Sequence, residues 1–317
     1  MRIVFMGTPE FAAPSLNALC DAGYEVVGVF TQPDRPKGRG NKVVCSPVKE
    51  IALRRGIPVF QPVRIRRDGV EDLKALAPDL CVTAAFGQIL SQEVLDIPRL
   101  GTVNVHASLL PRHRGSAPIA WAIMEGDAVT GVTTMMTDKG IDTGDMLLKA
   151  ETPIQPGETC GELTQRLSEV GAALLLDTLR AMEGGTLARV PQDESRMTYD
   201  PMLTKEMGVI DWAMPAGQIV NRIHGLNPWP GCSTAFEGGR LKLLKAEVCE
   251  GEGQPGEILV ADAKNGLVIA AGEGRSRPGE GAVRVLLMQA PGGKPMEPRV
   301  YLNGHPMKTH VVLKEAE

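Results

Sequence analysis

The chain has 317 residues, 43% of them hydrophobic and 23% charged, the balance of a soluble globular protein and too long for one comfortable domain. No apolar run approaches the ~20 residues that cross a bilayer, and the opening Met1-Arg2-Ile3-Val4-Phe5-Met6-Gly7 is too short for a signal peptide, so a cytoplasmic protein with no membrane partner is expected. The net charge of −4 discourages a polyanion partner only as an average: from Arg35 to Arg67, ten Lys or Arg stand against one acid, Glu50, a local +9 that leaves −13 on the remainder.

In chain order, Arg2 to Met6 predicts a short buried strand, followed by a turn at Gly7-Thr8-Pro9 and a helix from Glu10 to Cys20 with Thr8 as its cap. Glu25 to Phe30 predicts a second strand. Thr31 to Gly40 holds two prolines, two glycines and alternating charge, which predicts a long exposed loop. Then follow a helix around Val48 to Arg55, a strand near Pro58 to Phe60, a helix near Val70 to Leu76, a strand at Asp79 to Ala84, a strand through Val103-Asn104-Val105 and a helix over Ile119 to Met124. This alternation predicts a Rossmann-like α/β domain, a parallel sheet with helices on both faces. Gly161 to Met182 is the longest helical pattern, with Leu163, Leu167, Val170, Leu174 and Leu175 on one stripe, and Gly184-Gly185 ends it. The polar stretch after it predicts a linker. From Gly208 the patterning turns to short β segments, at Lys242 to Glu247, Glu257 to Val260, Gly266 to Ala271 and Ala282 to Met288, which predict a small barrel or sandwich. The expected boundaries are 1–188, a linker at 189–207 and a second domain at 208–317.

Chemistry concentrates at Asn104-Val105-His106 and Asp142. A lone histidine at a strand end is more commonly a satisfied core group, but Asn104 two residues earlier lies on the same face of a strand. An amide and an imidazole can steady a developing oxyanion, and a carboxylate can orient the imidazole or pass a proton, which is equipment for acyl transfer. Asp142 lies between Gly140 and Gly144, where the plainer reading is a turn-forming aspartate. Ser108-Leu109-Leu110-Pro111 predicts an extended segment with backbone groups free to grip a planar ligand. His113 reads as a rim residue and His224 as structural; Asn227-Pro228-Trp229-Pro230-Gly231 reads as a rigid turn plugging the second domain with a buried aromatic. The G-x-G-x-x-G spacing of a dinucleotide site is missing after Gly7, where Pro9 removes a donor and Glu10 adds a negative charge. Six scattered cysteines show neither a C-x-x-C pair nor zinc-ligand spacing, so reduced structural thiols and no metal are expected.

Asn104-x-His106-x-Ser108-Leu109-Leu110-Pro111, Arg114-Gly115-x-Ala117-Pro118, Gly131-Val132-Thr133 and Asp142-Thr143-Gly144-Asp145 together resemble the formyltransferase family that uses 10-formyltetrahydrofolate. The opening Phe5 to Ala12, the loop Thr31 to Gly40, Ser46-Pro47-Val48-Lys49 and Asn227-Pro228-Trp229-Pro230 narrow the likeness to the branch acting on charged initiator tRNA, nearly end to end. The resemblance implies a Rossmann-like formyl-transfer domain joined to a C-terminal domain similar to an OB-fold, acting in translation initiation. It implies direct attack of the methionyl α-amine on the formyl carbon, with the oxyanion stabilised by Asn104 and His106 and a proton relayed by Asp142. Folate would be held by Ser108, Leu109, Leu110 and Pro111, by Phe86, Gly87, Gln88, Ile89 and Leu90, and by Lys139, Gly140 and Ile141. Arg35, Lys37, Arg39 and Lys42 would contact the tRNA acceptor stem, with Lys242 and Lys245 nominated in the second domain, and the enzyme would be a monomer without a metal. One departure stands out: from Gly208 to Glu317 twelve basic residues balance twelve acidic ones, and Glu315 and Glu317 would be poor tRNA contacts. The rival reading is a formyltransferase acting on an amino sugar nucleotide or glycinamide ribotide, against which the basic stretch argues.

Overall fold

Ile3, Val4, Phe5 and Met6 are all fully buried, so the first strand shows side chains to covered surfaces on both faces, as a strand deep in a parallel sheet must. The structure, a computed structural model, describes residues 1–37, 42–272 and 280–314. These divide into two compact units, the first made of residues 1–118, 129–153 and 164–200, the second of 119–128, 154–163 and 201 onward.

The first unit is built on seven strands: β1 (Arg2–Gly7), β2 (Glu25–Phe30), β3 (Val59–Phe60), β4 (Leu80–Ala84), β5 (Thr102–His106), β6 (Val129–Met136) and β7 (Met146–Pro153). Their order is β7-β6-β5-β4-β1-β2-β3. All pairings from β3 to β5 are parallel, whereas β6 runs antiparallel to both β5 and β7. The expected all-parallel sheet is therefore mixed at one edge. The connection between β6 and β7 is too short for a parallel crossover, which needs a dozen residues or more. The chain order reverses at β1, which has β2 on one side and β4 on the other. The loops leaving the carboxyl ends of β1 and β4 diverge there and open the crevice at which such sheets bind ligands.

Helices Ala13–Asp21 and Pro47–Arg54 pack on one another, and Ile65–Asp68, Val70–Leu76 and Gln92–Leu95 form a second packed group. Val4, Met6, Phe30 and Cys81 share a core with Ile65, Val70, Leu73 and Val94 of that second group. Thr8 does not cap the first helical segment, whose N-cap is Pro9; its hydroxyl instead accepts from the Gln32 N–H at 3.2 Å. The long helix, Cys160–Glu183, starts at a capping box: Thr159 N–H donates to Glu162 Oε2 at 2.9 Å and Glu162 N–H to Thr159 Oγ1 at 3.4 Å. The expected loop at 31–40 is in part a β-ribbon, Arg35–Lys37 paired antiparallel with Lys42–Val44.

The second unit carries an antiparallel sheet of β8 (Cys232–Phe236), β9 (Gly239–Glu250), β10 (Ile258–Asp262), β11 (Gly266–Ala270) and β12 (Glu280–Gln289), in the order β8-β9-β12-β11-β10. The terminal segment bonds to both edges. Ile258 N–H donates to Val311 O at 2.9 Å and Ala235 N–H to Lys314 O at 3.0 Å, which closes the sheet into a small barrel. Helix Ala216–Gly225 contributes Ile219, Val220 and Ile223 to the barrel core. Neither β8 nor this helix was signalled by the patterning. Trp229 corrects the expected plug: it is 53% exposed. Its turn is held without the ring, by Asn227 Nδ2 donating to Leu244 O and Gly231 N–H to Leu226 O. His224 is structural as expected, buried and accepting from Ala246 N–H at 3.2 Å, with burial lowering its pKa.

Candidate active site

β5 alternates: Val103 and Val105 fill one face while Asn104 and His106 share the other. Opposite Asn104 in register stands Thr83 of β4, whose hydroxyl donates to Asn104 Oδ1 at 2.9 Å. That bond fixes which end of the amide is the acceptor. The Asn104 NH₂ is left without a hydrogen-bond partner among the described residues.

His106 is buried, and both ring nitrogens are addressed. Nε2 lies 2.8 Å from the His113 carbonyl, which can only accept, so this nitrogen carries a hydrogen. Nδ1 faces Asp142 Oδ1 at 3.6 Å. That gap is longer than a hydrogen bond, as separations between catalytic groups commonly are before a substrate draws them together. Asp142 Oδ2 accepts from the Gly115 N–H at 2.9 Å. The structure thus brings Asn104, His106 and Asp142 to one place, Asp142 from a loop far along the chain.

Two glycines allow this closeness. A Cβ on Gly144 would lie 1.9 Å from the Met136 carbonyl oxygen, and one on Gly115, whose φ is +113°, would lie 2.3 Å from the Asp200 carbonyl oxygen. Asp142 itself adopts φ +53°. Asp138 Oδ1 ties its loop from within, accepting from Gly140 N–H at 3.0 Å and Thr143 Oγ1 at 2.6 Å.

The segment Ser108–Pro111 differs from expectation. Its polar groups are already committed: Ser108 O accepts from Thr133 Oγ1, Leu110 N–H donates to the same hydroxyl, and Leu110 O accepts from Lys149 Nζ at 2.5 Å. Ser108 Oγ donates to Arg112 O at 2.7 Å, Leu110 is fully buried, and the Leu110–Pro111 peptide is cis. Burial lowers the Lys149 pKa. This is a rigid bend behind the site, not a free strand edge.

Of the loop after β4, Phe86 and Leu90 are buried, Gly87 has φ +75°, and Gln88 is spent on the scaffold, accepting from Ile65 N–H and donating to Pro62 O. Ile89 is 70% exposed, as is Ile141 to 54% in the Asp142 loop beside Lys139 and Gly140. Ile89 is on the loop leaving the carboxyl end of β4 and Ile141 on the loop that carries Asp142, both apolar side chains that a planar ring can cover.

The basic stretch divides into held and free cations. Lys49 is held by Asp34 at 2.5 Å and Gln61 at 2.8 Å, and hydrogen bonds donated by Lys49 and Gln61 lower the Asp34 pKa. Gln61 in turn donates to Gln32 O, and Gln32 donates to the Phe86 and Gly87 carbonyls, so the ribbon's base is tied to the loop after β4. Arg35 is exposed, Lys37 and Lys42 face one another in register across the ribbon, and Arg39 lies outside the described residues, as do Glu315 and Glu317. In the second unit Lys242 is exposed, whereas Lys245 is paired with Glu162 at 2.6 Å, which with the Thr159 N–H pulls the Glu162 pKa down to about 2.

His113 is not a rim residue. It is buried, with Nδ1 2.8 Å from the equally buried Asp200. Its partner lies 87 residues away, and Gln192, which donates to the Asp142 and Gly144 carbonyls, lies 50 from Asp142. No local pattern announces such pairs. The stretch 189–207, polar enough to read as a linker, carries them.

Residues 1–179 match the family described as formyl transferase, and residues 202–306 match the formyl transferase C-terminal domain. The chain belongs to the formyl transferase family. It is 50% identical to a methionyl-tRNA formyltransferase from Trichlorobacter lovleyi over all of this chain and 98% of that one. To one from Caldanaerobacter subterraneus subsp. tengcongensis it is 48% identical over 99% of this chain and 100% of that one. An N-formyltransferase from Helicobacter canadensis, solved with folinic acid and dTDP-3-aminofucose, shares the formyl transferase fold with a TM-score of 0.66 at 17% identity, over 89% of this chain and 98% of that one.

Proposed function

We propose that this chain transfers the formyl group of 10-formyltetrahydrofolate to the α-amino group of methionyl initiator tRNA, the reaction that prepares that tRNA for translation initiation. The observation that carries the reading is an unpartnered amide beside an imidazole–carboxylate pair, in a chain half identical along its whole length to methionyl-tRNA formyltransferases. The enzyme works as a cytoplasmic monomer. No helix among the described residues is long and apolar enough to cross a membrane.

Asn104, His106 and Asp142 are the catalytic residues. As the amine attacks the formyl carbon, negative charge grows on the formyl oxygen, and the Asn104 NH₂ is the donor placed to meet it without first breaking another bond. With Nε2–H donating to the His113 carbonyl, Nδ1 is the His106 nitrogen that can take a proton and, once protonated, donate to the oxyanion. Asp142 faces that nitrogen and receives the proton the amine must lose; collapse of the tetrahedral intermediate then breaks the bond between the formyl carbon and N10 of the folate, and N10 takes up a proton as tetrahydrofolate leaves. The exposed Ile89 and Ile141 suit the flat, partly apolar rings of the folate, with Gly87 allowing close backbone approach.

The ribbon bearing Arg35, Lys37 and Lys42, with Arg39, holds the acceptor arm through its phosphates, helped by Lys242. Lys245 contributes less, because Glu162 already neutralises it. A small acceptor such as an amino sugar nucleotide or a ribotide has no use for this concentration of charge. A formylation assay comparing charged initiator tRNA, charged elongator tRNA and small amines tests the reading. Turnover confined to the charged initiator tRNA is expected, and equal turnover of a small amine would overturn the proposed acceptor.

A further inference from the structure

The two residues that contact the His106 ring nitrogens, His113 and Asp142, both have left-handed backbone, with φ of +60° and +53°. Neither is glycine. Such residues cost conformational free energy and persist where the surroundings over-determine them, a pattern that gathers at active sites. One segment, residues 190–200, reaches both.

Val190 joins Met146 in a two-bond bridge at 2.9 Å, anchoring the segment at the start of β7. Gln192 Nε2 then donates to the Asp142 carbonyl at 2.7 Å and the Gly144 carbonyl at 2.8 Å, while its Oε1 accepts from Arg114 Nε at 2.9 Å. The Arg114 guanidinium is buried and forks onto Glu194. Thr198 Oγ1 accepts from the His113 N–H at 2.7 Å, and Asp200 Oδ2 holds the His113 ring. Tyr199–Asp200 finally pairs in parallel with Arg114–Gly115. Residues 113–115 are thus bonded on one side to His106 and Asp142 and on the other to this strap.

We infer that residues 190–200 form a clamp that sets the distance and angle between His106 and Asp142, with Gln192 and Asp200 as its positioning residues. Neither touches the reacting atoms. Gln192 fixes the backbone from which the Asp142 carboxylate projects, and Asp200 fixes the residue whose carbonyl orients His106. The inference rests on the catalytic reading of His106 and Asp142, and a one-ångström looseness there is the kind of change that lowers turnover without weakening binding.

Gln192→Met keeps the length of the side chain and removes its donor. In steady-state formylation its kcat should fall at least about tenfold, with KM for 10-formyltetrahydrofolate and for charged tRNA within roughly twofold of wild type. Asp200→Ala should fall similarly, and Asp200→Asn, which keeps an acceptor for His113, should recover most of the loss. Should Asp200→Ala not fold, Gln192→Met and Thr198→Val decide. Wild-type kcat in folded Gln192→Met, or a rise in KM with kcat unchanged, overturns the clamp. His106→Ala run alongside separates the two readings: full activity there defeats the catalytic assignment itself, whereas loss there with full activity in Gln192→Met defeats only the clamp.

Discussion

The loop Arg112–Ser116 and the ribbon Arg35–Val44 belong to the same compact unit and solve opposite problems. In the first, His113 and the Arg114 side chain are buried, the backbone N–H groups of His113, Arg114, Gly115 and Ser116 are each bonded to a distant segment, and a charged guanidinium is engaged by Gln192 and Glu194. In the second, Arg35, Val43 and Val44 are exposed, and the side-chain bonds among the described residues lie at its base, at Asp34, Lys49 and Gln61. Holding a reacting oxygen requires donors whose position was settled during folding, because reorganisation at the moment of reaction adds to the barrier. Neutralising phosphates requires cations that are not yet neutralised. The same residue type therefore has different uses: Arg114 is scaffold, and Arg35 is available to a ligand.

The contrast breaks most visibly at the proposed catalytic pair, Asn104 and His106. Replacing Asn104 or His106 with alanine should lower kcat by about 10²-fold or more, as deletion of an oxyanion donor does, with little change in KM for charged tRNA. Single-turnover kinetics check this with saturating substrates, and a near-wild-type rate in either variant removes that residue from the chemistry. Next in size is Gly115→Ala. Its Cβ would strike the Asp200 carbonyl from a φ that alanine rarely adopts, so a loss of roughly 2–3 kcal/mol in denaturant unfolding is expected, along with reduced turnover. An unchanged denaturation midpoint would mean that residues 199–200 do not press on the site loop.

The ribbon should respond on the other axis. Arg35→Ala with Lys42→Ala should raise KM for tRNA several-fold and lower the slope of log affinity against log salt by about 0.7–0.9 for each phosphate no longer neutralised, leaving folate affinity unchanged. Titrations across a range of salt concentrations measure that slope directly. A preserved slope would show that the contrast between scaffold cations and free cations is drawn in the wrong place.

What the sequence made legible follows from the range of the forces involved. The strand Glu25–Phe30 and the helix Val70–Leu76 lie where local patterning puts them, because burial periodicity is a property of a few consecutive residues. The reversed strand β6 was not legible, since apolar patterning carries no information about which way a neighbour runs. Asn104 and His106 could be paired by their spacing of two, whereas Asp142, between two glycines, stood as a candidate partner with a plain turn reading beside it until the family likeness favoured the trio. Gln192, Asp200 and the burial of His113 were invisible, because their meaning lies in contacts across 50 and 87 residues. Trp229 was misplaced for a related reason: the prolines rigidify its turn, but the hydrogen bonds from Asn227 and Gly231 do the anchoring and leave the ring outward.

Lys245 offers the smallest and most discriminating test. Its ion pair with Glu162 depresses the folded-state pKa of that carboxyl from 4.5 to about 2. A depressed carboxylate pKa adds stability that is complete above the unfolded value and is lost as pH falls through the folded one. Both side chains are about a third exposed or more, so screening holds the contribution to no more than about 1 kcal/mol. Lys245→Ala should therefore unfold slightly earlier than wild type at pH 7, and the gap should narrow as pH falls from 4.5 towards about 2, where Glu162 protonates in the folded variant before it does in the folded wild type. The Thr159 N–H still bonds to Glu162 in the variant, so part of the depression remains there. The same substitution should leave the salt dependence of tRNA binding nearly unchanged, whereas Lys242→Ala, which removes an exposed cation, should lower it. A large effect of Lys245→Ala on that slope would mean that tRNA displaces Glu162, and the cations of the second unit would then have to be counted by what they can release as well as by what stands free.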